Sequence, residues 1–489
     1  MNTNTNTNTI KPNLFDILDD TDSYKCGHHI GLDKEGVTDY LEARNGAQFP
    51  ETVVAGLREI LEGIAGVVVT QDMIEQEAIR CKHHFFGNES VFNREMWEYI
   101  VNEFGGKLPV RITSVDEGTV IPINNVMLQI ENLGGKKTSA LPGHLETYLL
   151  RIWYPMTVAT KSREVKKIIK KYLEETAEDE AMGLLPFLLH DFGARGTTNR
   201  EAAATGGAAH LINFVGTDTK VAMSHIVNTY GDSYEGLGYS VFATEHSLMT
   251  SEGEEGELEV IRRCMERVGL GIKSFVADSY DYYKNVSQYV GQDLKELILT
   301  QYEEGVKAGI PTKYVIRPDS CTPEHETPEA LVVWTYEQLE RDFGVTVNSK
   351  GYKELNPAVG VLWGDGIDID GIEKILEALK TAGYSTASQV FGMGGGLLQK
   401  LNRDTQRFAF KCCAQKKEGG EWEDIQKRPL DVSKASKAGR QALIIEEGEY
   451  KTIREDELNG RENQLKVQFE LGEILRKSTF AEIRERAAL

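Results

Sequence analysis

From about residue 184 onward, short apolar runs alternate with longer stretches of helical periodicity. The runs are LLPFLLHDFG, HLINFVGTD, LGYSVFATEH, KSFVADS, KYVIRPDS, VGVLWGDG, SQVFGMGGG and RFAFKCC. Between them, DGIEKILEALKTAG places Ile372, Ile375, Leu376 and Leu379 on one helical face, with Gly383 where a helix ends. Residues 282–307 hold another helix-like run through Leu294, Leu297 and Ile298. Continuous apolar strands alternating with helices predict a parallel sheet buried on both faces. About eight such units favour a TIM-like α/β barrel over an open doubly wound sheet. Polar residues gather just after the strands, at the end where such barrels carry their sites.

The chain ends follow a different rhythm. Residues 72–104 read as helical, and residues 106–132 read as strands with turns at Asp116-Glu117-Gly118 and Asn124-Asn125. A helical block follows over 139–176. After residue 438, RQALIIEEGEYKTI and ENQLKVQFELGEI alternate like antiparallel strands. We therefore expect a polar disordered tail at 1–11 and an N-terminal α+β domain with a helical block at 12–180. An α/β barrel catalytic domain at 181–437 follows, and residues 438–489 return to the N-terminal domain, making it discontinuous. The acidic stretch SEGEEGELE reads as a solvated helix start, its glutamates suiting the positive end of the helix dipole.

Composition narrows the function. The 489 residues carry a net charge of -21, with 40% hydrophobic and 27% charged residues. That balance is globular, and its sign opposes nonspecific binding to nucleic acid or to anionic membranes. Local Arg and Lys can still hold a small anion. The six cysteines (Cys26, Cys81, Cys264, Cys321, Cys412 and Cys413) show no CxxC and no metal-like Cys/His spacing, so reduced thiols in a cytoplasm are expected. No apolar run approaches the ~20 residues of a membrane span, and the start MNTNTNTNT lacks the parts of a signal peptide.

Several strand ends carry candidate chemistry. FGMGGGLLQKLNRD runs from a strand through Gly394–Gly396 into a helix, and LWGDGIDIDG is a second glycine turn. Paired glycine turns on late barrel strands suit a phosphate, because bare backbone amides can approach an anion. Asp365, between glycines, suits sugar hydroxyls better than phosphate. YVIRPDS offers Arg317 for an anion and Asp319 for a hydroxyl or cation; an Arg–Asp pair closing the barrel mouth is the plainer reading. TEHS and VADSYD place His246 and Asp278 after successive strands, either as a structural histidine or as an imidazole whose tautomer the aspartate fixes. NFVGTDT adds Asp218, also readable as a helix cap. LLHDFGARG adds His190, Asp191, Phe192 and Arg195, and TDSYKCGHH adds Asp22, Tyr24 and Lys25. Lys411 lies in FKCC, while Lys427 and Lys434 lie in a basic island, QKRPLDVSKASKAGR, that is either a solvated loop or a polyanion-binding flap.

TDSYK, HDFGARG, GTDT, GYSVFATEHS, DSYD, IRPDS, GDGIDI, GGGLLQKLNRD and FKC occur in one order across residues 12 to 485. In that combination the chain resembles the nicotinamide phosphoribosyltransferases, of the type II phosphoribosyltransferases. The resemblance implies joining nicotinamide to phosphoribosyl pyrophosphate, with Mg2+ carried on substrate phosphates and no direct protein metal ligand. It implies a homodimer with shared active sites, without nucleic acid or membrane. Phe192 and the partner subunit's Tyr24 would sandwich the pyridine ring, with Arg195, Asp218 and Ser240 around it and Asp218 accepting from the carboxamide. Gly394, Gly395 and Arg403 would hold the 5-phosphate. Asp319, Gly364 and Asp365 would bind ribose, with Arg317 along the phosphoribosyl path. Arg44, Lys411, Lys427 and Lys434 would surround pyrophosphate and ATP. His246 would accept a phosphoryl group from ATP, oriented by Asp278 and supported by Glu245. Asp218 should also repel nicotinate, which favours the amide over the acid. Ala194, Phe242, Met393 and Ala409 depart from the family pattern, standing where a larger residue, a proline and two serines are usual.

Overall fold

Seven of the eight apolar runs form one sheet in which every strand pair is parallel. The computed structural model describes residues 16–427, 430 and 435–489. The tail assigned to 1–11 and the candidate Lys434 lie outside the described residues. In chain order the parallel strands are β1 (Leu189–Asp191), β2 (Gly216–Thr217), β3 (Phe242–Ala243), β4 (Ile272–Val276), β5 (Lys313–Arg317), β6 (Val359–Trp363) and β7 (Gln389–Met393). Their order in the sheet is β2-β1-β7-β6-β5-β4-β3. Gly216 of β2 also makes a parallel bridge to Tyr239, just before β3.

Burial explains why these runs are strands. All of β6 is buried, and Trp363, Phe275 and Phe391 are almost fully enclosed. Each such side chain contributes on the order of 1.5–3 kcal/mol by leaving water. The helix Ile369–Thr381 buries Ile372, Ile375, Leu376 and Leu379, the stripe expected from periodicity. The Asp368 side chain caps it by accepting from the Gly371 amide. Gly383 follows with φ +83, the left-handed conformation a chain needs to leave a helix. The acidic stretch does open a helix, Gly253–Val268, with Glu254 and Glu255 in its first turn.

The eighth run belongs elsewhere. RFAFKCC enters the strand Ala409–Lys416, which pairs antiparallel with Gly36–Glu42. That pairing sits in a second seven-stranded sheet, ordered Trp422–Asp424, Ala409–Lys416, Gly36–Glu42, Val126–Asn132, Val110–Ser114, Lys466–Glu470 and Glu473–Ile474. Both chain ends therefore supply strands to it.

The chain divides into two compact units. One holds the antiparallel sheet: residues through Pro50, Gly56–Trp153 and Gln406–Ser478. The other holds the parallel sheet: Glu51–Ala55, Tyr154–Thr405 and Thr479–Leu489. These boundaries differ from the 180 and 437 read from periodicity. The helix Trp153–Thr176 falls almost wholly in the second unit, where Lys161 Nζ donates to the Gly396 carbonyl and Lys166 Nζ donates to the Asn213 carbonyl. The C-terminal segment is also split. Its last helix, Phe480–Arg486, belongs with the parallel sheet, where the Arg484 guanidinium donates to the carbonyls of Leu211, Gly236 and Leu237. No helix of the described residues is long and apolar enough to cross a membrane.

Candidate active site

Parallel strands place all their C-terminal ends on one side, so the residues following each strand converge. Here they line an open cleft of about 800 Å³. Phe192 and Arg195 follow β1, Asp218 follows β2, and Glu245 and His246 follow β3. Arg317 ends β5, with Asp319 two residues on; Gly364 follows β6, and Gly394 and Gly395 follow β7. Asp278 follows β4 and reaches the cleft through His246.

Phe192 is positioned by glycines. Its amide donates to the Met393 carbonyl at 3.0 Å. Its ring lies over Gly392, where an added Cβ would stand 2.0 Å from Phe192 Cε2. Gly364 is the next neighbour, at 3.4 Å from the same atom to its hypothetical Cβ. Gly193 bends the chain after Phe192 where a side chain would strike Leu398, and its amide donates to Asp191 Oδ1 at 2.7 Å. Asp191 is fully buried, and that burial pushes its carboxyl up to about 6. It thus acts as a structural post beneath the turn rather than a cleft-lining group. His190 beside it is also buried, and burial lowers its basicity.

Asp218 is exposed and accepts from Ser240 Oγ at 2.5 Å through Oδ1. Its other oxygen is left for a donor in the cleft. Asp278 Oδ1 is 2.9 Å from His246 Nε2, and Ser320 Oγ donates to Asp278 Oδ2 at 2.5 Å. Since an ionised carboxylate only accepts, the geometry places a proton on Nε2, which in the neutral imidazole leaves the lone pair on Nδ1. Asp319 Oδ2 lies 3.9 Å from that Nδ1. Glu245 caps the one-turn helix His246–Met249 and accepts from Ser247 Oγ, so it supports the histidine's segment.

Arg317 donates to the Thr244 carbonyl, while its Nε is buried without a partner. Burial holds its guanidinium below the usual value, against the pull of Asp319, Asp218 and Asp278. A half-buried cation with a buried, unused donor is suited to an anionic ligand. Asp365 is exposed; desolvation and then Asp319 and Asp278 raise its carboxyl. The glycine turn departs from expectation in one respect. The helix it opens is a single turn, Gly395–Leu398, so backbone amides rather than a long helix dipole would hold a phosphate there.

Some predicted residues are elsewhere. Arg403 does not line the cleft; it is exposed and pairs with Asp404 at 3.3 Å. Lys400, three residues earlier, does line it and was missed, although it stands in the same glycine-rich motif. Thr219, Thr244 and Ser247 were missed too. Tyr24, Arg44, Lys411 and Lys427 belong to the unit of the antiparallel sheet. Within it, Tyr24 and Lys411 border a separate pocket of about 440 Å³ with Lys25, Asp39 and Glu146. Arg44 pairs with Glu42 at 3.3 Å and keeps one buried nitrogen unpartnered. The Lys427 amide donates to Ser436 Oγ. The unusual residues are accommodated locally: Ala194 lines the cleft, Met393 and Ala409 are buried in strands, and Phe242 meets Phe275 at 6.1 Å between ring centres.

Residues 187–473 match the nicotinate phosphoribosyltransferase (NAPRTase) family, and residues 16–112 match the nicotinamide phosphoribosyltransferase N-terminal domain. A nicotinamide phosphoribosyltransferase of Xanthomonas campestris pv. campestris is 39% identical, covering 97% of this chain and 98% of its own. The chain belongs to the nicotinamide phosphoribosyltransferase family. A second such enzyme, from Mycoplasma pneumoniae, is 36% identical over 61% of this chain and 63% of its own. Among solved structures, a nicotinate-nucleotide pyrophosphorylase from Pyrococcus furiosus aligns with TM-score 0.56 at 16% identity, covering 96% of this chain and 94% of its own. Human nicotinic acid phosphoribosyltransferase aligns at 0.53 and 15%, covering 96% and 92%. These two share the α/β fold.

Proposed function

We propose that this protein condenses nicotinamide with 5-phosphoribosyl 1-pyrophosphate, giving nicotinamide mononucleotide and pyrophosphate in NAD salvage. The observation that carries this is the convergence of the Phe192 ring, the Asp218 acceptor, the partly unpaired Arg317 and the His246–Asp278 pair on one cleft. Phe192 holds the pyridine ring, and Arg195 borders it. Asp218, steadied by Ser240, accepts from the carboxamide. Asp319, Gly364 and Asp365 hold ribose hydroxyls, and Gly394, Gly395 and Lys400 hold the 5-phosphate. The ring nitrogen attacks C1 as the bond to pyrophosphate breaks and its electrons leave with pyrophosphate. Positioning the two reactants removes most of the bimolecular entropy cost.

Mg2+ supplies charge neutralisation for the leaving pyrophosphate. Carboxylates at the strand ends fit that ion: Asp365, which lies outside the cleft lining, is raised partly by Asp319 and Asp278, and a cation nearby would relieve such crowding. Those residues would meet it through its waters. His246 Nδ1, with its lone pair free, takes the terminal phosphoryl of ATP. The P–O bond to ADP breaks, and Asp278 stabilises the charge on the ring. Tyr24, 64% exposed on a short turn, covers the pyridine ring as the partner's Tyr24 in a homodimer. Arg44, Lys411 and Lys427 serve pyrophosphate and nucleotide phosphates. We also read the parallel sheet as a closed TIM-like barrel of seven strands; the backbone bonds joining Val215 and Thr217 to Tyr239 support closure between β2 and β3. A cytoplasmic location fits six unpaired thiols.

Product analysis tests this reading, with purified protein, phosphoribosyl pyrophosphate and Mg2+, with nicotinamide or nicotinate, and with or without ATP. Nicotinamide mononucleotide from the amide, stimulated by ATP, is expected. Equal turnover of nicotinate would remove the role given to Asp218, and no product from either base would remove the enzymatic reading.

A further inference from the structure

The sequence spacing of the cysteines gave no reason to expect a metal site, yet folding brings two of them together. Cys81 and Glu77 are four residues apart on the helix Gln71–His84, which puts them on one face. Cys26 ends the short turn Ser23–Lys25. The sulfurs of Cys26 and Cys81 and a carboxylate oxygen of Glu77 all lie within 4.8 Å of one another. Glu77 and Cys81 are buried, and Cys26 is half-buried.

We propose that Cys26, Cys81 and Glu77 form a binding site for a borderline-soft divalent cation of the Zn2+ class. Two sulfurs select against Mg2+, which takes oxygen ligands, and suit a tetrahedral ion. Beside the cluster is a small, partly open space of about 10 Å³, lined by Cys26, Glu77, His144 and Lys25 among others, the size of one water or ion; Lys25 is itself paired with Glu146. His144 Nε2 lies 2.7 Å from the Ile17 carbonyl, an acceptor, so Nε2 carries the proton and Nδ1 its lone pair.

The surrounding charges are consistent with this. Cys81 Sγ now donates to Glu77 Oε1 at 3.0 Å, and Arg80 holds Glu77 Oε2. As the cation enters, both thiol protons leave to solvent and Glu77 Oε1 is released to become a ligand. Two thiolates and one carboxylate around a divalent ion carry one net negative charge, beside Arg80, which Glu77 shares with Asp19 and Asp16. The ion ties the turn that carries Tyr24 to the helix Gln71–His84, giving the site a structural role. It rests on these residues and not on the reaction proposed above.

Cobalt titration of the metal-free, phosphine-reduced full chain is the test. One equivalent of Co2+ should bind with a near-ultraviolet thiolate-to-cobalt charge-transfer band and tetrahedral visible bands, and Zn2+ should displace it. Cys26→Ser and Cys81→Ser should each weaken binding at least tenfold and cut that band, at saturation, to about half; Zn2+ should slow alkylation of Cys26 in the parent chain. Cys26 is on a half-exposed turn, so its variant, checked by circular dichroism, decides the matter if the Cys81 variant does not fold. No band in the parent chain, or an unchanged band in folded Cys26→Ser protein, overturns the proposal.

Discussion

Asp278 Oδ1 stands 2.9 Å from His246 Nε2. Ser320 Oγ donates to the other oxygen at 2.5 Å, so both carboxylate oxygens are engaged. In the proposed reaction Asp278 would hold the imidazole proton on Nε2 and leave Nδ1 facing the cleft. Asp278→Asn keeps the shape and loses the charge. Loss of the partner that orients a metal-bound histidine costs about 10–100-fold, and a fall of that order in kcat/KM in the presence of ATP is expected here. Labelling of the protein with the terminal phosphoryl of ATP should slow in proportion, and Ser320→Ala should show the same change more weakly. Unchanged labelling kinetics in Asp278→Asn would falsify the orienting role.

Asp218, in the role proposed for it, makes the base preference a matter of charge. Facing nicotinate, it would hold two carboxylates together at a cost of several kcal/mol. Asp218→Asn removes that repulsion while keeping an acceptor and the size. The ratio of kcat/KM for nicotinamide over nicotinate should drop by about tenfold or more, mainly through better use of nicotinate. A competition assay with both bases in one tube reads the ratio directly.

Gly392 has no direct chemistry, and its substitution should still be felt in the ring slot. A methyl group there would meet Phe192 Cε2 at 2.0 Å. Overpacking of this kind costs about 1–3 kcal/mol. Gly392→Ala should therefore unfold at lower urea concentration and show a raised KM for nicotinamide. Shortening Phe192 to leucine in the same chain should recover stability but not KM.

How much of this was legible beforehand depended on whether a feature was local. The residues after β1 to β7 could be read because a strand end and its polar follower are neighbours in the chain, as with Val276 and Asp278. RFAFKCC could not be placed, since an apolar strand looks the same in either sheet. Only its pairing with Gly36–Glu42 decides. The same distance in sequence hid the meeting of Cys26 with Cys81. Arg403 was expected at the phosphate from the family resemblance alone, but the one-turn helix Gly395–Leu398 ends before it, and it is Lys400 that lines the cleft.

Asp191 gives a pH signature. Burial raises its carboxyl to about 6 in the fold, above the ordinary ~3.9 it regains when unfolded. Between those values the folded state keeps a proton that the unfolded chain releases, so this group's contribution to stability falls as pH rises from about 4 to about 6. The full loss is ~3 kcal/mol above that window. Asp191→Asn still offers an oxygen to the Gly193 amide and cannot ionise. Relative to the parent chain it should gain stability as pH rises through the window and stay level above it. Urea midpoints at pH 4 and pH 7 measure the difference, and a constant offset at both would show that Asp191 does not titrate there.

Lys400 and Arg403 separate the cleft as built from the motif as written. Lys400 lines the same wall as Gly394 and Gly395, whereas Arg403 is on the surface with Asp404 as its partner. A surface pair of that kind contributes about 0–1 kcal/mol, while a cation within hydrogen-bonding reach of a phosphate contributes about 1.5–3 kcal/mol. Lys400→Ala should raise KM for phosphoribosyl pyrophosphate by about 10–100-fold and steepen no other parameter as much. Arg403→Ala should change it by less than about threefold. Steady-state kinetics over a range of phosphoribosyl pyrophosphate at saturating nicotinamide distinguish the two. The reverse order of effects would mean that Arg403 leaves Asp404 when the phosphate binds, and that the short segment after Gly395–Leu398 rearranges around the substrate.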